Sequence, residues 1–191
     1  MKLNSALILI VAITIPSCTA ILTEATGDQG IQEKPTERTT GAIIEDEIIE
    51  TKVAVNMRSQ EPAFKQSNFH VISHNGVVLL VGQVENDFLR AQATEIASQA
   101  SSKIKRIHNE LEIAGNAGFL SRSNDAWIAT KIRTLMLADG GVPSSQVKVI
   151  SENGAVYLMG LVSQTEGDSA ASLARNVSGV TKVVKVFEYL D

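Results

Sequence analysis

The chain has 191 residues, 44% of them hydrophobic, with a formal net charge of −4 at pH 7. That length allows one or two small domains, and an acidic chain without a clustered basic face is not built to bind nucleic acid. Its single cysteine excludes an internal disulfide framework.

Residues 1–17 combine Lys2, a largely apolar run over 6–15, and Ile15-Pro16-Ser17 ahead of Cys18. About ten apolar residues are too few to span a bilayer and suit a secretory signal peptide. Cys18, with an aliphatic residue three positions before it and a small one just before it, is the expected lipidation site. Its neighbour is Thr19 rather than Asp, which in the general pattern of bacterial lipoproteins implies transport to the outer membrane. Acyl chains such as palmitate contribute roughly 0.8 kcal/mol per buried methylene, so two or more hold firmly. Residues 18–44, rich in Thr, Glu, Gly and Gln, read as a flexible linker spanning about 30 Å.

A helix is predicted next from Ile49, Val53 and Met57, spaced to share one face. Glu45, Asp46, Glu47 and Glu50 gather at its expected start, where carboxylates suit the helix dipole. Then comes SHNGVVLLVGQV (73–84), with Val71 and Ile72 ahead of it. Asn-Gly between apolar runs is a strong hairpin signal, because a type I′ turn needs positive φ at both central residues. The continuous apolar arm after the turn predicts a strand covered on both faces. Gly82 within it predicts a bulge or close approach by another backbone, which a helix packing there would explain. An Ala-rich helix over 86–100 (Leu89, Ala93, Ile96, Ala97, Ala100) and a strand through Ile104, Ile107 and Leu111 complete the unit.

The same order then recurs. DAWIATKIRTLM (125–136) repeats DEIIETKVAVNM (46–57), and SENGAVYLMGLV (151–162) repeats the hairpin. A helix over 166–177 and a strand through Val180, Val183 and Phe187 follow. The offset drifts from 79 to 78 to 76, which marks a duplicated domain with small loop changes. The expected fold is α+β: tandem αββαβ units at 45–114 and 122–191, joined by a linker at 115–121, each a small mixed three-stranded sheet with two helices.

The first helix of the second unit, with Ser123 or Asn124 as expected N-cap, has apolar groups to spare. At about 100° per residue, Ile128, Ile132, Leu135 and Met136 form its buried stripe. Trp127 falls beside Lys131 and Thr134 on another face, Leu137 opposite the core, and Arg133 on a further side. The Gly-rich approach adds Leu120 and Arg122. Trp beside Lys and Arg is the composition of a membrane-interface contact. An apolar face rimmed by charge equally suits a protein partner, and Trp127 packed between the two units or against the linker is the structural alternative. The first unit offers only Ile48 and Arg58 at the matching positions.

Catalytic constellations are missing. The histidines are His70, His74 and His108, none in the second unit, with no third metal ligand at useful spacing. No serine sits in an elbow motif, and GNAG lacks the lysine of a phosphate loop. The expectation is a non-enzyme without metal or cofactor.

The helix, the Asn-Gly hairpin with its following glycine, and the ending VSGVTKVVKVF resemble the BON domain. Two copies behind a lipoprotein signal resemble the dual BON-domain outer-membrane lipoproteins, over residues 45–191, with SNDAWIATKIRTLML the most specific stretch. Lys103 departs from the pattern, standing where the second copy has Gly179. The resemblance implies a lipid-anchored protein on the periplasmic face of the outer membrane. It implies binding of an anionic phospholipid such as phosphatidylglycerol through the helix over 125–137, with Trp127, Lys131, Arg133, Thr134 and Leu137 as contacts beside Leu120 and Arg122. Support of outer-membrane integrity and enrichment at the division site are further implications. The alternative is an adaptor that uses the same face to dock an envelope-assembly or cell-wall-remodelling protein.

Overall fold

The computed structural model describes residues 38–114 and 119–190, with side chains from residue 123 onward in the second stretch. Helix α1 spans Thr40–Gln60 and buries Asp46, Ile49, Val53 and Met57. It begins inside the stretch expected to be linker, because the Thr39 hydroxyl caps it by accepting the Ala42 N–H at 3.1 Å. A 3₁₀ turn, Pro62–Lys65, sets Phe64 edge-on to Phe69, ring centroids 5.6 Å apart. Strands β1 (Asn68–His74) and β2 (Val77–Val84) form an antiparallel hairpin. Helix α2 (Asp87–Ala100), capped by Asn86, crosses over to β3 (Arg106–Ile113), which pairs with β2 in parallel.

The second unit repeats this. Helix α3 is Phe119–Asp139, β4 and β5 are Val147–Glu152 and Ala155–Val162, α4 is Gln164–Arg175, and β6 is Lys182–Tyr189. The sheet orders β1-β2-β3 and β4-β5-β6 are each mixed, as the αββαβ pattern requires. Helix α3 begins at Phe119, not behind a cap at Ser123 or Asn124. No Gly or Pro over 119–124 interrupts it, so the helix runs through both polar residues. Helix α4 opens with a capping box between Ser163 and Glu166.

Both turns take the predicted conformation: φ is 54° and 78° at Asn75 and Gly76, and 52° and 80° at Asn153 and Gly154. The strand glycines do meet another backbone, but it belongs to a strand rather than a helix. A Cβ at Gly82 would collide with the Asn68 carbonyl, and one at Gly160 with the Gln146 carbonyl. Both glycines have positive φ, so each kinks its strand where the partner begins.

Alternation along the central strands explains their double burial. Val78, Leu80 and Val84 face α1 and α2, while Val156, Leu158 and Val162 face α3 and α4. The opposite faces meet each other: Ile72, Val77, Leu79 and Val81 of the first sheet form one cluster with Ala155, Tyr157, Met159 and Val186 of the second. The body therefore stacks as helices, sheet, sheet, helices. Burial within this seam pushes the Tyr157 phenol above its usual range, helped by the nearby Glu110, Glu112 and Glu152.

The polar rim of the seam is reciprocal. Asn75 Nδ2 donates to Glu188 Oε2 at 2.9 Å, and Asn153 Nδ2 donates to Glu112 Oε2 at 3.5 Å. Each bond joins one unit's turn asparagine to the glutamate near the end of the other unit's last strand. The duplicated units are thus related by an approximate two-fold through the seam. Arg106 donating to the Phe187 carbonyl at 3.1 Å and Lys182 pairing with Glu110 at 2.9 Å occupy matching rim positions.

Candidate functional site

The repeated Ser-x-Asn-Gly string serves a buried carboxylate. Asp125 Oδ1 accepts the Ser151 hydroxyl and the Gly154 N–H, each at 2.8 Å, and Oδ2 accepts the Asn153 N–H at 2.7 Å. Asp46 does the same in the first unit, with Ser73 at 2.6 Å, Gly76 at 3.0 Å and Asn75 at 2.7 Å. The first helix of each unit is pinned to its own hairpin turn. Arg38 adds a bond to Asp46 at 2.8 Å. Burial pushes the Asp46 carboxyl up, but the bonds from Ser73, Gly76, Asn75 and Arg38 outweigh it and hold the group below its usual range.

His74 lies against this cluster. Burial, reinforced by Arg38 and Lys148 and opposed by Asp46, pushes its imidazole down to about 4. A histidine kept neutral by folding stabilises the native state fully above its unfolded pKa of about 6.5 and loses that contribution as pH falls toward 4. The expected loss between pH 7.5 and pH 4 is about 3 kcal/mol. Urea denaturation across that range should show it, and His74→Gln should flatten the profile.

On α3, Trp127 is 52% exposed, and Lys131 and Thr134 are exposed on the same strip. Trp127 takes no part in the seam, which overturns the reading that it packs between the units. Leu137 is 75% exposed, about 80° around the helix from Trp127. The Thr134 hydroxyl turns inward and donates to the Thr130 carbonyl at 3.0 Å. Arg133 stands apart: its Nη2 donates to the Val149 carbonyl at 2.6 Å, so the guanidinium lies along β4. There it lines a cleft of about 690 Å³ with Glu50, His70, Lys148 and Ile150. Trp127, Lys131 and Thr134 form one patch with Leu137 at its edge, and Arg133 belongs to another. Cys18 and the side chains of Leu120 and Arg122 lie outside the described residues.

Two features escaped the sequence reading. The aspartate clamp was signalled by Asp46 and Asp125 at one offset in both copies, yet helix-start carboxylates have a simpler explanation. Helix α1 also exposes more apolar surface than Ile48 alone: Ile44 is 57% and Val55 is 55% exposed. Among the described residues no helix is long and apolar enough to cross a membrane.

Comparison with known proteins gives two matches to the BON domain model, at residues 45–115 and 124–191. The chain is 40% identical over 154 residues to the Outer membrane lipoprotein DolP of Haemophilus influenzae, covering 81% of this chain and 79% of that one. It is 37% identical over 165 residues to the 21 kDa hemolysin of Actinobacillus pleuropneumoniae, covering 86% and 84%. It is 30% identical over 146 residues to Osmotically-inducible protein Y of Escherichia coli, covering 75% and 72%.

Proposed function

The chain belongs to the BON-domain family, with two copies of the domain, and on that premise we propose that it holds anionic phospholipid through the exposed face of α3. It is an outer-membrane lipoprotein, like the Haemophilus influenzae relative. In this reading acyl chains on Cys18 leash the body to the membrane, and Trp127 with Lys131 makes a second, weaker contact. The observation that carries it is the half-exposed Trp127 ring on one strip with Lys131, clear of the seam. An indole prefers the headgroup boundary, and each cation near an anionic surface contributes roughly 1 kcal/mol. Such adhesion is feeble for a free protein but is multiplied by the leash, which raises the effective lipid concentration. The chain then acts by binding, not catalysis, and helps to maintain the outer membrane, including at the division site.

The test uses the mature chain carrying Cys18→Ser, so that sedimentation reports the face and not the anchor. It should pellet with vesicles containing phosphatidylglycerol and stay in solution with purely zwitterionic ones. Trp127→Glu should weaken the anionic binding at least fivefold, and equal binding by that variant would refute the face. The adaptor alternative shares this surface. A photo-crosslinker at position 127 in cells decides between them: lipid adducts support the proposal, and protein adducts support the adaptor.

A further inference from the structure

The cleft of about 690 Å³ beside Arg133 is bordered by Ala129 and Thr130 of α3, by His70 and Ile72 of β1, and by β4. Ligand clefts are commonly about 300–1,000 Å³. Strands β1 and β4 are outer strands of their sheets, so each has a free edge. The Glu152–Ala155 pair closes a two-residue turn and exchanges both backbone bonds, so Val149 and Ser151 turn their N–H and C=O groups away from β5. Val71 and Ser73 do the same on β1.

The approximate two-fold is broken at these edges. In the first unit the chain seals its own edge. The Ser73 N–H donates to Glu50 Oε1 at 2.8 Å, and Lys148 Nζ donates to Glu50 Oε1 at 3.1 Å and to the Ser73 carbonyl at 3.5 Å. In the second unit Ala129 stands where α1 has Glu50, and offers only a methyl group. His70 occupies the place in β1 that Lys148 holds in β4. The Ser151 N–H and C=O therefore have no partner among the described residues. One turn beyond Ala129, Arg133 places Nη2 on the Val149 carbonyl at 2.6 Å, and no described carboxylate pairs with it. The carboxylates around the cleft are engaged elsewhere: Glu50 with Lys148, Asp125 with its three donors, and Glu152 with Gln83 Nε2 at 2.8 Å.

We propose that this edge binds the extended C-terminal tail of another protein, added antiparallel to β4. One residue of the tail exchanges both backbone bonds with Ser151, since an extended backbone carries an N–H and a C=O at that spacing. Running antiparallel, the tail heads from Ser151 toward Val149, whose carbonyl Arg133 already takes. The ladder stops there, which suits a chain that ends there. A guanidinium has five N–H donors, so Arg133 can keep Val149 and also bind the terminal carboxylate. A tail that ran on would have to displace Arg133 from β4. The proposal does not rest on the phospholipid reading, because Trp127 and Lys131 lie on a different side of α3.

The experiment titrates the isotope-labelled mature chain carrying Cys18→Ser with the peptide acetyl-Val-Thr-Val-Thr-Val, followed by NMR. One form of the peptide has a free C-terminal carboxylate, and the other is amidated there. The free acid should move the Ser151 amide and Arg133 side-chain signals, and the amidated form should bind at least fivefold more weakly. Arg133→Gln, at an exposed position, should bring the two forms to within twofold of each other. Ala129→Glu should abolish binding of both, since it sets a carboxylate over Ser151 as Glu50 sets one over Ser73. Equal binding of acid and amide by the Cys18→Ser chain, shifts confined to other strands, or no binding of either form would each overturn the proposal. Glycerol phosphate producing the same shifts would make the cleft a headgroup site and would overturn it too. No membrane is present in this titration, so vesicle binding still judges the phospholipid reading separately.

Discussion

Asp125→Ala is expected to destabilise the folded body by about 3 kcal/mol, and Asp46→Ala by a similar amount, because each strands three donors in or near the interior. A buried donor left without an acceptor costs about 1–3 kcal/mol. The Ser151 hydroxyl and the Asn153 and Gly154 N–H groups lose their acceptor together when the carboxylate goes. Some water will reach the turn, which keeps the total toward the lower end of the sum. For a body of about 150 residues the melting temperature should fall by roughly 6–12 °C. Asp125→Asn should be milder, about 1 kcal/mol, since its one oxygen can keep the Ser151 and Gly154 bonds while its amide opposes the Asn153 N–H. That ordering separates the clamp from a mere helix-dipole charge, for which Asn and Ala would be equivalent and salt would erase the difference. Chemical denaturation of the three variants decides it, and an Ala variant within 0.5 kcal/mol of wild type (~ the scatter of surface substitutions) would remove the clamp from the account.

Leu79→Asp should cost as much or more and should change how the chain unfolds. Leu79 is fully buried in the seam, where Tyr157, Met159 and Val186 of the second unit complete the cluster. An unpaired carboxylate forced there costs about 3–5 kcal/mol, met either by protonation or by parting the sheets. Parting leaves each sheet's helix side intact, because Val78 and Leu80 point the other way. The wild-type chain is therefore expected to melt in one transition and the variant in two, visible by calorimetry. Rim substitutions such as Lys182→Ala should change stability by less than about 1 kcal/mol, since that ion pair is solvent-exposed. A Leu79→Asp variant that still melts in one step near the wild-type temperature would mean that the seam does not couple the units.

Local chemistry was legible in the sequence, and long-range partners were not. Asn75-Gly76 and Asn153-Gly154 gave their turns away because few residue pairs tolerate positive φ twice. Ile49, Val53 and Met57, like Ile128, Ile132 and Met136, marked the buried helix sides by spacing alone. The apolar runs 77–81 and 155–159 announced two covered faces, but not that each would cover the other. Nothing local distinguishes Leu79 facing a sheet from Leu80 facing a helix. Gly82 announced a close neighbour but not its kind. Helix starts were misplaced wherever a polar residue looked like a cap: Ser123 and Asn124 lie inside α3, and Thr39, with no apolar pattern beside it, caps α1. On the candidate face, Trp127, Lys131 and Thr134 fell together as the helical angle required. Arg133 was drawn away by a backbone carbonyl of β4, a partner sixteen positions further along the chain.

Trp127 is the chain's single tryptophan, so its fluorescence reports the proposed lipid face without interference. Emission from the Cys18→Ser chain should shift to shorter wavelength on adding phosphatidylglycerol vesicles, and acyl chains brominated near the headgroup should quench it. An emission maximum that stays where it is in buffer, unquenched at saturating anionic lipid, would show that the ring never enters the bilayer and would contradict the account.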